Sequence, residues 1–308
     1  MTLKPPPTGS ARVLTAPDEH PAVSIDAARH RYVTVHQGTP RQVRLHIAEL
    51  GDGVPLVLLH GFFQHWSAWR HVLTRLPAGY RAVCVDLRGF GESEQTRRGY
   101  DLDTLADDVG ALIARLGLAP AVIAGHDLGA QVALRLAVAR PQQCAALLAV
   151  NTHHPFPSRA RMAANLWRMW FTALLEYPVL GPLVIRTWPG IIRTLLRRGA
   201  RDRSAWSAGE LGEFTDATRA SARPTQQVLW QYVLKEMPRM LRTRGAEQLT
   251  VPAVLLTGSR DGVIPARLAA GDSSRARGLE TRLVPGCGHQ LLVEAPDQVA
   301  AALHEMRP

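Results

Sequence analysis

The chain has 308 residues, of which 46% are hydrophobic, and its formal net charge is +10. This length and apolar content suffice for one α/β core with an inserted subdomain, and they exclude a disordered chain and a small disulfide scaffold. The three cysteines have neither paired spacing nor the spacing of metal ligands, so we expect no disulfide framework, no metal and no cofactor. A reducing compartment fits three unpaired thiols. No secretory signal or membrane-spanning run is apparent, which predicts a cytoplasmic protein.

Composition along the chain predicts three parts. Residues 1–30 contain a run of three prolines and are expected to form a flexible or surface-lying extension. Residues 31–152 and 245–308 carry the apolar strand-like runs and are assigned to the core. Residues 153–244 have the apolar period of helices, interrupted by prolines, as expected of a small helical cap.

The first predicted strand, Val54–Leu59, is a short apolar run that ends in His60-Gly61-Phe62-Phe63. A backbone N–H just after such a His-Gly turn forms one half of an oxyanion hole, which makes Phe62 a candidate donor. A second strand over 80–86 is followed by a glycine-containing loop. In that loop Glu94 occupies the place of the third glycine of a dinucleotide fingerprint, so the pattern excludes a Rossmann site.

A helix is predicted over 101–116, and a third strand then leads into Gly125-His126-Asp127-Leu128-Gly129. Small residues on both sides of one polar side chain form a nucleophile elbow, a sharp turn between strand and helix. Most elbows carry Ser, whereas this one carries Asp127. A carboxylate with a reference pKa of roughly 3.9 is already ionised, so it can attack an sp3 carbon without a base and form an alkyl ester. The alternative is an ordinary turn with a helix-capping Asp.

After a strand over 145–150, two further strands are predicted over 253–258 and 281–284, and these deliver Asp261 and His289. Asp261 could simply shape a turn, and His289 could be a buried imidazole with satisfied hydrogen bonds. Three polar residues at three strand ends, in the order nucleophile, acid, histidine, favour a catalytic triad of the kind found in α/β-hydrolases.

From about Arg31 to the C-terminus the chain resembles the α/β-hydrolase superfamily, and within it the epoxide hydrolases. The resemblance rests on the segments 60–62, 89–93, 125–129, 258–261, 286–289 and 151–156. It implies a mostly parallel central sheet flanked by helices, with an inserted helical cap. It also implies that Asp127 is the nucleophile, that His289 and Asp261 activate water, and that the N–H groups of Phe62 and Leu128 form the oxyanion hole. The product would be a vicinal diol from a small lipophilic epoxide. The chain departs from the family at Phe63, where a proline is usual.

A second departure lies in the cap, where epoxide hydrolases generally use two tyrosine hydroxyls to hold and protonate the epoxide oxygen. Phe171 stands at the first expected place. Trp230 stands at the best register for the second, with Tyr232 two residues further on. Tyr232, Tyr177 and His154 are therefore the candidate donors for general-acid assistance, which is worth roughly 10²–10⁴-fold.

Two other functions remain open at this stage. Dehalogenases of the superfamily share the Asp nucleophile; Leu128 does not fit their usual pattern, although Trp230 with Tyr232 offers a halide cradle. The fold also hosts non-hydrolytic catalysts and ligand-binding homologues, so the fold alone does not fix the activity.

Nearly all of the excess positive charge lies in the predicted cap, where residues 153–244 hold 14 arginines and one lysine against six acids, a net +9. This basic segment is either a solvated face or a weak contact with an anionic membrane surface. Nucleic-acid binding is not expected, because no recognised fold or stacking aromatics accompany the charge. The sequence does not fix the oligomeric state, and a dimer is one state that it allows.

Overall fold

The computed structural model describes residues 25–165, 173–242 and 247–307. Eight strands form one sheet in the order β1-β2-β4-β3-β5-β6-β7-β8, with β1 and β2 antiparallel to their neighbours and all other pairs parallel. The strands are β1 (Arg29–Val35), β2 (Val43–Leu50), β3 (Val54–Leu59), β4 (Tyr80–Val85), β5 (Ala121–His126), β6 (Cys144–Val150), β7 (Ala253–Gly258) and β8 (Leu279–Val284).

Helices cover both faces of the sheet and fill the segment between β6 and β7. They are α1 (Arg70–Leu73), α2 (Leu102–Leu116), α3 (Leu128–Ala139), α4 (Arg159–Ala163), α5 (Ala173–Glu176), α6 (Leu180–Thr187), α7 (Pro189–Gly199), α8 (Ala208–Ala220), α9 (Ala222–Gln231), a π-helical turn (Tyr232–Glu236), α10 (Met237–Arg242), α11 (Leu291–Glu294) and α12 (Pro296–Glu305). We call α4 to α10 the cap helices. Over the residues described, no helix is both long and apolar enough to cross a membrane.

The central strands are apolar along their whole length because both of their faces are covered. Successive side chains of a strand point to opposite faces. In β3, Val57 and Leu59 therefore join the apolar layer under α2 and α3, while Leu56 and Leu58 join the layer on the other face. Cap residues such as Ile185 and Ile192 belong to this second layer, so the cap helices pack directly on the core.

The predicted helix over 101–116 is confirmed and has clear ends. The Asp101 side chain accepts a hydrogen bond from the Thr104 N–H at the N-cap, and Gly117 ends the helix with a φ of 63°. The predicted strands also form. Two strands were not predicted, β1 and β2, and β1 begins at Arg29, inside the segment assigned to the N-terminal extension. Polar residues occupy one face of β1, so its apolar signal is weak.

Parallel strands bring their carboxyl ends to one edge of the sheet. The loops after β3, β5, β6, β7 and β8 therefore meet beneath the cap helices.

Candidate active site

Asp127 lies in a turn that only small neighbours permit. It adopts φ 51° and ψ −112° between β5 and α3, a conformation that L-residues rarely take. A Cβ on Gly125 would overlap the backbone of Gly129, and a Cβ on Gly129 would overlap the carbonyl oxygens of Leu59 and His60. The glycines of the predicted elbow thus allow the turn to pack against the end of β3.

The Asp127 carboxylate is held from two sides. Its Oδ2 accepts a hydrogen bond of 3.1 Å from the Phe62 N–H, and its Oδ1 lies 3.7 Å from Nε2 of His289. Burial alone would raise the pKa of Asp127, but the nearby imidazole of His289 and the hydrogen bond from the Phe62 N–H hold it below its usual range. The carboxylate is therefore ionised. Its side chain is 17% exposed and faces the cavity described below.

His289 is joined to Asp261 by a hydrogen bond of 2.8 Å between Nδ1 and Oδ2. The other oxygen of Asp261 accepts from the N–H groups of Val263 and Ile264, both at 2.8 Å. Burial lowers the pKa of His289, but the two carboxylates that flank the ring outweigh it and raise the pKa to about 10. The structure thus brings together the three side chains that chain order had nominated, with His289 between the two acids.

Asn151, which the sequence had not nominated, supports this arrangement. Its Nδ2 donates to Oδ2 of Asp261 at 3.0 Å and to the Gly288 carbonyl at 3.1 Å, and its Oδ1 accepts from the Leu291 N–H at 3.2 Å. It is fully buried and has a φ of 50°. A polar residue directly after β6, at a strand end like the others, is the signal that could have identified it.

Tyr232 is the predicted donor that reaches the cavity. It begins the π-helical turn, and its hydroxyl lies 3.0 Å from Nε2 of His153. Nδ1 of His153 lies 2.9 Å from the His154 carbonyl, which only accepts, so Nδ1 carries the proton and Nε2 accepts from Tyr232. Burial lowers the pKa of His153 to about 4, so its ring is neutral. Burial and the charges of Asp127 and Glu236 raise the pKa of Tyr232, which keeps the phenol protonated.

The other cap candidates lie elsewhere. Neither Trp230 nor His154 is among the described residues that line the cavity. His154 instead accepts from the Phe156 N–H at 3.0 Å, so His153 and not His154 is the histidine at this wall. Tyr177 is 57% exposed. Phe171 lies outside the described residues.

These groups share a cavity of about 340 Å³ with mostly apolar walls. The polar residues that line it are Asp127, Gln131, His153, Asn165, Arg198, Tyr232, His289 and Gln290. The apolar wall comes from the core loops and the cap helices and includes Phe62, Phe63, Leu128, Leu195, Leu196, Leu229, Val233, Val263, Ile264 and Leu268. Such a site suits a small lipophilic molecule with one reactive polar group.

Phe63 determines how the loop after β3 bends without the proline that is usual at this position. Its φ is 62°, which the proline ring cannot reach because it fixes φ near −65°. The loop therefore follows a path closed to a proline at this position, and it places the Phe63 side chain in the cavity wall.

Comparisons with known proteins agree with this geometry. A sequence model of the Alpha/beta hydrolase family matches residues 56–302. "Epoxide hydrolase 4" from Mus musculus is 38% identical over 156 residues, which cover 48% of this chain and 43% of that protein. "Soluble epoxide hydrolase" from Corynebacterium sp. (strain C12) is 41% identical over 105 residues, which cover 34% of this chain and 37% of that protein. The matched segments thus span less than half the length of these curated relatives.

Among solved structures, Cfl2 from Burkholderia cenocepacia superposes with a TM-score of 0.77 at 26% identity, covering 94% of this chain and all of that one. The match to the family sequence model covers most of the chain, including the elbow, Asp261 and His289. The chain therefore belongs to the alpha/beta hydrolase family.

Proposed function

We propose that this protein is an epoxide hydrolase that opens a small lipophilic epoxide to a vicinal diol through an ester of Asp127. One observation carries the proposal. An ionised carboxylate stands at the elbow, with the Phe62 N–H on one oxygen and His289 beside the other, in a cavity that Tyr232 also lines. The names of the two curated relatives support the same reaction class.

In the first step, an oxygen of Asp127 attacks one epoxide carbon, the C–O bond of the ring breaks, and an alkoxide forms. Tyr232 donates to that oxygen and supplies its proton. In the free protein its hydroxyl donates to His153, so the phenol is already held in the cavity with a neutral acceptor beside it. His153 is a positioning residue in this scheme, and the pair takes the place of the two tyrosines usual in the family.

Ester formation changes the protonation state of His289. The carboxylate of Asp127 loses its charge, which removes one of the two anions that raise the pKa of His289 to about 10. His289 then releases its proton, which restores the phenol of Tyr232 after that group has protonated the alkoxide. The first step is therefore balanced overall, and it leaves the imidazole neutral and able to act as a base.

In the second step, Nε2 of His289 takes a proton from water, and the resulting hydroxide attacks the ester carbonyl of Asp127. The Phe62 N–H, which already contacts Oδ2, stabilises the oxyanion together with the Leu128 N–H. The intermediate collapses, the second proton of the attacking water passes to the leaving alkoxide, the diol leaves, and Asp127 becomes a carboxylate again. The proton from water stays on His289, whose charge Asp261 and the restored Asp127 stabilise.

Dehalogenation through the same carboxylate has less support. A halide needs donors that point into the cavity, and of the candidate pair Trp230 and Tyr232 only Tyr232 is among the described lining residues. The residue after the nucleophile is the apolar Leu128. A purely ligand-binding role would leave the buried Asp261–His289–Asp127 arrangement without a purpose.

Intact-protein mass spectrometry of a His289→Gln variant tests the proposal. This variant should form the ester but fail to hydrolyse it. After exposure to lipophilic epoxides and haloalkanes, we expect a mass gain equal to a whole epoxide, abolished by adding Asp127→Asn. A gain equal to an alkyl group without its halogen would establish dehalogenation instead, and no adduct with either class would reject both.

A further inference from the structure

The outer faces of α6 and α7 form an unusual surface. Gly181 and Ile185 of α6 are buried, as are Ile192 and Leu196 of α7. Because the isoleucines join the same core layer, the opposite faces of both helices point to solvent.

On α6 that outward face is apolar. Leu180 and Leu183 lie three residues apart on one side of the helix and are exposed. Val179 precedes the helix with 78% of its surface exposed, and Trp188 joins α6 to α7 with 62% exposed. Exposed apolar side chains that cluster in this way mark an interaction surface.

On α7 the outward face is basic. Arg193 and Arg197, four residues apart, are both exposed. The segment 177–201 contains five arginines and no acid. We call Val179, Leu180, Leu183, Trp188, Arg193 and Arg197 the α6–α7 face.

We propose that the α6–α7 face docks on an anionic lipid surface. A helix that combines apolar side chains with arginines lies in the interface of a bilayer, where the apolar groups enter the headgroup boundary and the cations meet anionic headgroups. Trp188 between the helices fits this depth, since its ring is apolar and its N–H is polar.

The positive charge of the α6–α7 face favours an anionic lipid surface over a second copy of the chain as its binding partner. A symmetric dimer through this face would bring the arginines of both copies together in a weakly polar interface, where like charges repel. An anionic membrane neutralises the same arginines.

The face is next to the cavity. Leu195, Leu196 and Arg198 of α7 line the cavity, while Arg193 and Arg197 of the same helix point outward. A lipophilic molecule dissolved in the bilayer would therefore meet α7 on its way to Asp127. The docking inference itself does not depend on the proposed reaction, because lipid binding is measured without any epoxide.

Co-sedimentation of the full chain with vesicles tests the inference. We expect binding to vesicles that mix phosphatidylglycerol with phosphatidylcholine to be at least about tenfold tighter than binding to phosphatidylcholine alone, and to weaken with salt. Leu183→Ser should weaken binding at least about threefold. Arg193→Gln with Arg197→Gln should weaken it about tenfold or more.

Matched controls lie on the core. Leu283→Ser removes a leucine of similar exposure, 56% against 54%, from β8. Arg97→Gln with Arg115→Gln removes two exposed arginines away from the cap. Both controls should bind as the parent does. Absence of binding to anionic vesicles, or equal weakening by the controls, would overturn the inference. A dimer in solution that Leu183→Ser disperses, without vesicle binding, would assign the face to a second copy.

Discussion

Asp127 is an anion in the wall of a mostly apolar cavity, and in the proposed reaction its neighbours act in succession. The Phe62 N–H first stabilises the carboxylate and later the oxyanion, because the same oxygen bears the negative charge in both states. His289 first neutralises the carboxylate and becomes a base once that charge has gone. The positive charge on His289 in the free protein is therefore compatible with its proposed role.

Replacing Tyr232 tests the proposed donor. Tyr232→Phe keeps the ring but removes the hydroxyl, so we expect ester formation to slow by roughly 100-fold or more. His153→Phe should slow it less, about tenfold, because the phenol remains but loses the acceptor that fixes its position. His153→Gln retains an acceptor and should recover most of the rate. The measurement is the rate of adduct formation in a His289→Gln background, which isolates the first step.

If Tyr232 and His153 act as one unit, Tyr232→Phe combined with His153→Phe should be no slower than Tyr232→Phe alone. Fully multiplicative effects would contradict the pairing. An unchanged rate in Tyr232→Phe would remove Tyr232 from the proposed mechanism.

At the scale of elements, the elbow between β5 and α3 depends on glycine for close packing and not for positive φ. Positive φ falls on Asp127 itself, whereas Gly125 and Gly129 are small because backbone lies where a Cβ would be. Asp127 is thus held by contacts between the elbow and the end of β3.

Gly125→Ala should destabilise the protein by roughly 1–3 kcal/mol and slow ester formation, because the new methyl group pushes α3 away from β5. Gly209→Ala is the matched control. Gly209 lies in α8, and no atom lies within 4 Å of the place that a methyl group would take, so alanine should stabilise by roughly 0.5–1 kcal/mol. Urea unfolding of both variants measures the difference. Equal stability of the two would contradict the packing argument.

At the scale of the whole molecule, α8 is tied to the core through Glu213. Its carboxylate accepts from Arg70 at 2.6 Å and from Ser67 at 2.8 Å, and lies 3.1 Å from His65. Burial would raise the pKa of Glu213, but hydrogen bonds from these three residues lower it to about 2. These hydrogen bonds and ion pairs hold α8, a cap helix, against the core.

Glu213→Gln should lower the free energy of unfolding near neutral pH by about 1 kcal/mol, a small value because the side chain is 38% exposed. Because the pKa of Glu213 is lower in the folded protein than its ordinary value of 4.5, the ionised carboxylate stabilises the folded protein fully above pH 4.5. This stabilisation is lost as the pH falls through about 2. The difference between parent and variant should therefore shrink below pH 4.5. Urea unfolding at several pH values measures it.

Asp216→Asn is the control for this prediction, since Asp216 lies on the same helix, is 75% exposed and pairs only with a neighbouring residue, Arg219, in the contacts described. It should change stability little at any pH. If the difference in free energy of unfolding between parent and Glu213→Gln persisted unchanged in acid, the ionised carboxylate of Glu213 would not be the source of the stabilisation.

The sequence alone determined the parallel part of the sheet, the elbow and the order of the three polar strand ends, whereas it did not predict the antiparallel strands β1 and β2. Apolar runs of strand length and small residues around Asp127 are local patterns, and parallel strands necessarily gather their carboxyl ends at one edge. The same local logic marks Asn151 as a polar strand end but gives it no role, because its partners Asp261 and Leu291 lie more than a hundred residues away along the chain.

Only the tertiary structure decided between neighbouring candidates in the cap. Trp230 and Tyr232 differ by two positions, and the candidate His154 lies one position after His153, which the sequence analysis did not nominate. The direction of each side chain depends on how the cap helices pack and where the π-helical turn falls. The outward apolar face of α6 is likewise invisible in the sequence, because an apolar stripe looks the same whether it is buried or exposed. Which side chains are buried depends on how the layers of the folded protein pack, so the sequence alone does not show it.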